Sequence, residues 1–315
     1  MSVERPYLID LLRFLRWPNL LLITLFLLLF DQVVLGVLRN ALDVGAALDG
    51  FTRVLLILDV LIVTVVGYWM NDLSDVDADS INRPTRFLVL RPNAVGQVRA
   101  WTLVLSVMGL SLTILLAYLL NRLEWVWLYP SALFGLYLYA RRGKGWGIWG
   151  NAFVSFMIAV LPLLWVIAES EMINTLHAAD PHLFKDVLQM FAGYAGLMFL
   201  SNMARELAKD VQDLAGDRAM SGKTLPLKKG LGVANMVMII YVLMIACAQT
   251  ALVAMLPRSL VLSVFSVIIF AMLLVIVRWM QRMGIEKAAV RVSNGLKWLM
   301  LIGLLQLFFL PPTLL

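Results

Sequence analysis

Apolar residues along this chain come in long, nearly unbroken runs parted by short polar clusters. They show neither the alternation of a half-buried strand nor the one-sided stripe of a surface helix. Nine runs approach the roughly 20 apolar residues that a bilayer-spanning helix needs, at about 18–38, 52–71, 98–120, 123–140, 147–168, 184–207, 233–254, 258–280 and 292–312. The pattern predicts an all-α polytopic membrane protein with nine transmembrane helices, organised as a single membrane-embedded domain over 1–315. Asn121-Arg122 and Pro257-Arg258 predict two tight turns. Long polar links fall at about 72–97 and 208–232. A third, at about 169–183, carries Glu169, Glu171, His177, Asp180 and His182 and is expected to be a solvated loop. The first run lacks a small-residue cleavage site and reads as a spanning helix, not a removed signal.

Composition agrees. The chain is 62% hydrophobic and 15% charged, where soluble domains run at about 45–50% and about 25%. A water-soluble fold of this length cannot hide so much apolar surface. Charge then orients the helices. With the N-terminus cytoplasmic, 21 of the 26 Lys and Arg residues fall inside, and only Arg39, Arg53, Arg122, Lys185 and Arg258 fall outside. That bias is the positive-inside signal. It accounts for the net charge of +6 through topology and anionic lipid, with no nucleic acid as partner. It also places both long links on the cytoplasmic side. Cys247, the single cysteine, cannot form an internal disulfide and reads as a small packed hydrophobe.

The two long links open on acids. Asp72, Asp75 and Asp79 are spaced i, i+3, i+7, with Asn71 one turn before Asp75. Asp210, Asp213 and Asp217 repeat that spacing, with Glu206 one turn earlier. On a continuous helix each set forms one carboxylate stripe. Like charges at this spacing repel, and acids at membrane depth need cations or protons. Mg²⁺ suits them: it takes oxygen ligands, keeps waters, and is commonly shared between a few carboxylates and a substrate's phosphates. Neither stripe contains His, which argues against zinc. Bases lie beside the acids: Arg83 and Arg86 after the first stripe, Lys209, Arg218 and Lys223 around the second, and Arg141, Arg142 and Lys144 between helices four and five. They are candidates to hold phosphate oxygens, while positive-inside placement alone also accounts for them.

These residues resemble the UbiA superfamily of intramembrane prenyltransferases. Asn71-Asp72-x-x-Asp75-x-x-x-Asp79 resembles its first aspartate-rich motif, and Asp213-x-x-x-Asp217, with Glu206 upstream, its second. Tyr139 with Lys144 resembles the intervening tyrosine–lysine element, followed by Gly150-Asn151, and Arg16-Trp17-Pro18-Asn19 resembles the entry to the first helix. Within the superfamily, 79–86 and 205–217 look most like the geranylgeranylglycerol-phosphate geranylgeranyltransferase branch and its bacterial look-alikes. Arg86 is followed by Phe87-Leu88-Val89-Leu90, where many members have Pro and then a Ser-Gly turn.

The resemblance implies nine helices around a central cavity open to lipid, in a prokaryotic cell membrane. It implies Mg²⁺-dependent transfer of a prenyl group from an isoprenyl diphosphate to a lipophilic acceptor, either a prenylglycerol phosphate or, as an alternative, an aromatic ring in quinone synthesis. On this reading Asp72, Asp75, Asp79, Asp210, Asp213 and Asp217 bind metal. Asp72, Asp75, Asp213, Lys144 and Tyr139 serve catalysis, and Asn19, Asn71, Arg86, Asn151, Arg205, Glu206, Lys209 and Lys223 bind substrate. Trp69, Met70, Phe153, Phe156, Met157, Met198 and Phe199 are candidates to line the prenyl groove, against ordinary helix packing. A cation transporter is the rival of another class. Asp59, inside the second run, is expected to make a structural hydrogen bond or a second polar contact.

Overall fold

A computed structural model describes residues 7–255 and 259–309, with side chains from Asp10 onward except that of Lys144. The described residues form helices and no strands. The α-helices are α1 Tyr7–Phe14, α2 Trp17–Leu29, α3 Gly36–Leu42, α4 Gly50–Ser74, α5 Val76–Asn82, α6 Phe87–Leu90, α7 Ala94–Leu119, α8 Leu128–Trp146, α9 Ile148–Ala159, α10 Leu161–Ala168, α11 Ser170–Ala179, α12 Pro181–Gln212, α13 Leu214–Ala219, α14 Leu225–Met255 and α15 Leu260–Leu305. A π-helical stretch, Phe30–Leu35, joins α2 to α3.

Seven helical stretches are long and apolar enough to cross a membrane: Trp17–Leu42, Gly50–Ser74, Ala94–Leu119, Ile148–Ala168, Pro181–Gln212, Leu225–Met255 and Leu260–Phe309. The last covers two predicted runs. Gly284, at φ 73° and ψ 156°, breaks α15 between them, in a region of backbone space open essentially to glycine alone. The predicted run at 123–140 becomes a 3₁₀ turn, Leu123–Trp127, followed by α8. Its charged end lowers its hydropathy. Asn121 makes the expected turn in a left-handed conformation, φ 52°. The turn expected at Pro257-Arg258 lies outside the described residues. Leu103, Val107, Leu243, Val267 and Leu274 stand exposed on these helices, a surface suited to lipid rather than water.

Helix starts follow local rules. Asp49 caps α4 by accepting from the Thr52 N–H at 2.7 Å. Asp180 caps α12 by accepting from the N–H groups of His182 and Leu183 at 3.0 Å each, with Pro181 at the first helical position. The cap at Asp180 belongs to a correction. The link at 169–183 is not a loop: α11 fills most of it and buries Met172, Ile173 and Leu176. Those apolar residues recur at i, i+1 and i+4, a helical pattern embedded among polar neighbours.

The chain divides into two compact units. The first comprises the described part of Met1–Leu25, together with Leu48–Lys144 and Ala215–Gly222. Its core gathers Phe14, Val65, Trp69, Phe87, Leu88 and Val98. Phe14 stacks on Trp69 with ring centroids 5.5 Å apart and on Phe87 at 4.8 Å. The second comprises Phe26–Ala47, Gly145–Leu214 and the described part of Lys223–Leu315. There α12, α14 and α15 pack through Ala204, Ala208, Ala234, Ala288 and Ala289, all fully buried, so that the backbones approach closely.

The second unit also buries a charged triad. Arg39 donates to Asp31 Oδ1 at 3.0 Å and to Glu169 Oε1 at 2.8 Å, and Glu169 Oε2 accepts from the Ala47 N–H at 3.1 Å. Positive-inside counting treated Arg39 as a plain outer charge and Glu169 as a loop residue. Both are buried instead.

Candidate functional site

In the first unit, α4 carries Asn71 and Asp72 to its last turn and ends at Asp75, whose backbone sits at φ −101° and ψ 5°. A new short helix, α5, then carries Asp79. In the second unit, α12 carries Glu206, Lys209 and Asp210 and ends at Asp213, at φ −97° and ψ 9°. The short helix α13 follows and carries Asp217. Each expected continuous stripe is therefore broken at its middle acid. Three like charges in two turns repel along a continuous helix, and Asp competes poorly for helix interiors. The break turns the third acid onto a separate helix. The same break, within a few degrees, occurs in both units.

The first acid cluster is held by arginines. Arg86 Nη1 donates to Asp72 Oδ1 at 2.8 Å and to Asp79 Oδ2 at 2.7 Å. Arg16 also pairs with Asp72. Asp72 and Asp79 are both buried. Burial pushes the Asp79 carboxyl up to about 6 despite the opposing pull of Arg86, and the nearby Asp72 and Asp75 push it the same way. Asn71 donates to Asp75 Oδ2 at 2.9 Å. Asn19 donates to the Tyr68 hydroxyl at 3.1 Å, and the Arg16 guanidinium lies 4.4 Å from the Tyr68 ring centre. A crevice lined by Phe14, Asp72, Val76, Asp79, Arg86, Phe87, Leu88 and Val89 opens here. The apolar run after Arg86 is thus α6, one wall of this crevice.

Arg16 and Tyr68 are absent from the sequence-predicted set. Tyr68 lies one turn before Asp72 on α4, a spacing that could have drawn it in. Arg16 is placed by a left-handed backbone, φ 54°, between α1 and α2, which no spacing rule anticipates.

Asp217 belongs to this first unit too. The Gly216 N–H donates to Asn82 Oδ1 at 2.7 Å. A Cβ at Gly216 would lie 2.5 Å from the Ala78 carbonyl oxygen. Only glycine lets α13 sit so close to α5. The last acid of the second motif is thereby buried in the compact unit that holds the first motif.

In the second unit Asn151, near the start of α9, donates to Asp210 Oδ2 at 2.8 Å. Lys209 pairs with Glu206 one turn away. Gly147, at φ 61°, precedes α9, and a Cβ there would lie 2.9 Å from the Lys223 carbonyl oxygen, which brings the Lys223 backbone to the start of α9. The Lys223 side chain is exposed. Among the described residues, Arg205 Nε and Thr224 Oγ1 are buried donors with no acceptor. Such atoms are costly in a low-dielectric setting unless an anion or another acceptor meets them.

Tyr139 is half-buried on α8, its ring packed over Gly143, where a Cβ would lie 2.5 Å from the ring. Lys144 lies in the last turn of α8, its side chain outside the described set. Of the groove candidates, Trp69 is part of the first unit's core and Phe156 is exposed. Asp59 is buried and accepts from the Thr113 hydroxyl at 2.7 Å, so its hydrogen bond runs from α4 to α7.

Among the described residues, no three Asp, Glu, His or Cys side chains converge into a ready cage. The donor set still fits a hard cation: Asp72 and Asp79 both direct a carboxylate oxygen at one positive group, Arg86 Nη1. Mg²⁺ sites commonly rest on one or two carboxylates completed by waters and phosphates.

The UbiA prenyltransferase family profile matches residues 33–302. The chain belongs to this family. It is a prenyltransferase, an enzyme that transfers alkyl groups. It is 30% identical over 209 residues to the digeranylgeranylglyceryl phosphate synthase of Thermococcus sibiricus, covering 66% of this chain and 67% of that protein. The synthase of the same name from Korarchaeum cryptofilum is 26% identical over 281 residues, 88% of this chain and 92% of that one. The fold resembles the apo structure of a UbiA homolog from Aeropyrum pernix, with a TM-score of 0.62 at 16% identity over 90% of this chain and 96% of that chain. Membership of this family replaces the cation-transporter reading of the chain.

Proposed function

We propose that this enzyme takes an isoprenyl diphosphate as donor and transfers the prenyl group to the hydroxyl of a prenylglycerol phosphate, a step of ether-lipid synthesis that requires Mg²⁺. The observation that carries the reading is the duplicated helix break. Two motifs with one spacing end their helices at the middle acid in the same backbone conformation. The helix bearing Asp217 packs on the helix bearing Asp79. The names of the relatives from Thermococcus and Korarchaeum support the acceptor.

Asp72, Asp75, Asp79 and Asp217 of the first unit, and Asp210 and Asp213 of the second, would bind metal. Bound Mg²⁺ would neutralise the diphosphate as it departs. The chain's own donors do the rest. Arg205 Nε and the Thr224 hydroxyl, both buried without acceptors, meet phosphate oxygens. Lys144, Lys223 and Arg86 add positive charge. Arg16 and Arg86 hold the carboxylates of Asp72 and Asp79 in the absence of substrate. Tyr139 faces the allylic fragment as the carbon–oxygen bond breaks. The acceptor oxygen then bonds that carbon, and its proton passes to the released diphosphate.

We also infer nine crossings. The seven stretches are joined by α8, and Gly284 divides the last in two. Both motifs lie on the cytoplasmic side, supported by the bias of Lys and Arg.

The test incubates the purified enzyme with labelled isoprenyl diphosphates of different lengths and both acceptor classes, with products identified by mass spectrometry. The expected product is a diprenylglycerol phosphate, formed only with Mg²⁺. Asp72→Asn and Asp213→Asn are expected to lower turnover about 100-fold or more without loss of folding. A prenylated aromatic as sole product would overturn the acceptor, and full activity in either mutant would overturn the site.

A further inference from the structure

The second unit holds a polar ladder between α9 and α12 that reaches from Asp210 toward the apolar part of the bundle. Its upper rung is the Asn151 amide on Asp210 Oδ2, at 2.8 Å. Its lower rung is the Asn202 amide, which donates to Ser155 Oγ at 3.1 Å. Ser155 in turn donates to the Asn151 carbonyl oxygen at 2.7 Å. Ser155 therefore links the two, donating to the Asn151 backbone and accepting from the Asn202 amide. Ser155 and Asn202 are completely buried, and Asn151 nearly so.

The spacing is regular. On α9, Asn151 and Ser155 are one turn apart. On α12, Asn202, Glu206 and Asp210 fall at successive turns of one face. Fully buried Ala204 and Ala208 lie on α12, small enough to let a neighbouring helix approach. Interhelical hydrogen bonds in an apolar bundle are worth only about 1 kcal/mol, so the lower rung is a poor device for stability alone. Its Asn202 Oδ1 is left buried with no partner, which offsets much of that gain. What the rung does set is the axial register of α9 against α12, and with it the position from which Asn151 reaches Asp210.

We propose that Ser155 and Asn202 are positioning residues. Through Asn151 they fix the orientation of the Asp210 carboxylate, and so tune the affinity of the acidic motif for Mg²⁺. The inference rests on the reading of Asp210 as a metal-binding acid. The Asn151 amide is a neutral partner that orients the Asp210 carboxylate without adding charge. Partners of this kind typically change metal affinity about 10–100-fold when removed.

The full chain, purified in detergent, is titrated with Mg²⁺ in the presence of inorganic pyrophosphate. Two readouts are followed: the shift in melting temperature and the Mg²⁺ dependence of prenyl transfer. Asn202→Leu and Ser155→Ala are expected to raise the half-saturating Mg²⁺ concentration about 10-fold in both readouts. Ser155→Thr, which keeps the hydroxyl, restores the wild-type value. The double variant is no worse than the worse single, because both break one rung. Gln249→Met breaks a buried amide pair with Gln306 elsewhere in the unit; it lowers the melting temperature and leaves the Mg²⁺ response unchanged. Asp210→Asn separates the two readings. If Asp210→Asn loses the Mg²⁺ response while folded Asn202→Leu and Ser155→Ala keep it, the ladder has no positioning role and the metal reading stands. If Asp210→Asn responds like wild type, Asp210 is no ligand and the inference falls with that reading.

Discussion

Arg39, on α3, sits between Asp31 of the π-helical stretch and Glu169 at the start of α11, with each oxygen contact near 3 Å. Removing one member of a buried ion group leaves the others uncompensated, at a cost of about 3–5 kcal/mol. Arg39→Leu is therefore expected to lower the melting temperature in detergent sharply. Arg39→Lys recovers only part of the loss, because an ammonium lacks the fork that spans two carboxylates. Full recovery with Lys would mean that charge alone, not geometry, matters there. The residue types at the candidate site were legible one by one, as acids and bases at fixed spacing. Their partners were not. Arg86 bridging Asp72 and Asp79 needs a chain reversal after α5, and Arg16 reaches Asp72 across more than fifty residues of sequence.

At the scale of elements, the helix breaks at Asp75 and Asp213 are the feature that spacing misjudged. Periodicity reports which residues share a face only while the helix continues. It carries no account of repulsion strong enough to end the helix. Two glycines show what the arrangement requires. At Gly216 a methyl group would meet the Ala78 carbonyl oxygen at 2.5 Å, and backbone cannot yield cheaply. Gly216→Ala is expected to push α13 off α5 and to lower turnover about 100-fold, as misplacement by about 1 Å does, with a smaller effect on melting temperature. Wild-type turnover would show that this contact does not shape the site. At Gly284 the surroundings are open, with nothing within 4 Å of an added Cβ. The backbone at φ 73° is the whole constraint. Gly284→Ala is expected to cost about 1–3 kcal/mol, read as a lower melting temperature, while turnover at saturating substrate stays close to wild type.

For the whole molecule, the proposed membrane topology rests on an asymmetry of charge spread over the full chain, and it is testable as such. Thr85, Ser221 and His182 are exposed. Single cysteines placed there, in a chain with Cys247 replaced, are expected to react with an impermeant thiol reagent from one face of sealed vesicles for Thr85→Cys and Ser221→Cys, and from the opposite face for His182→Cys. Labelling of the first two from different faces would break the shared-side arrangement on which the proposed chemistry depends.

The residue order alone determined the solvent, the helical class and the rough positions of the long apolar helices, and it singled out the paired acidic clusters. Each depends on composition or on neighbours within a few turns, and bilayer thickness imposes a length that any apolar run must meet. Tertiary structure decided the partners: which arginine holds which carboxylate, that Asp217 joins the unit of the first motif, that Asn151 holds Asp210, and that Arg39 and Glu169 are buried together. Most of these contacts join residues between 14 and 134 positions apart. They arise from helix packing in three dimensions, which no local spacing encodes.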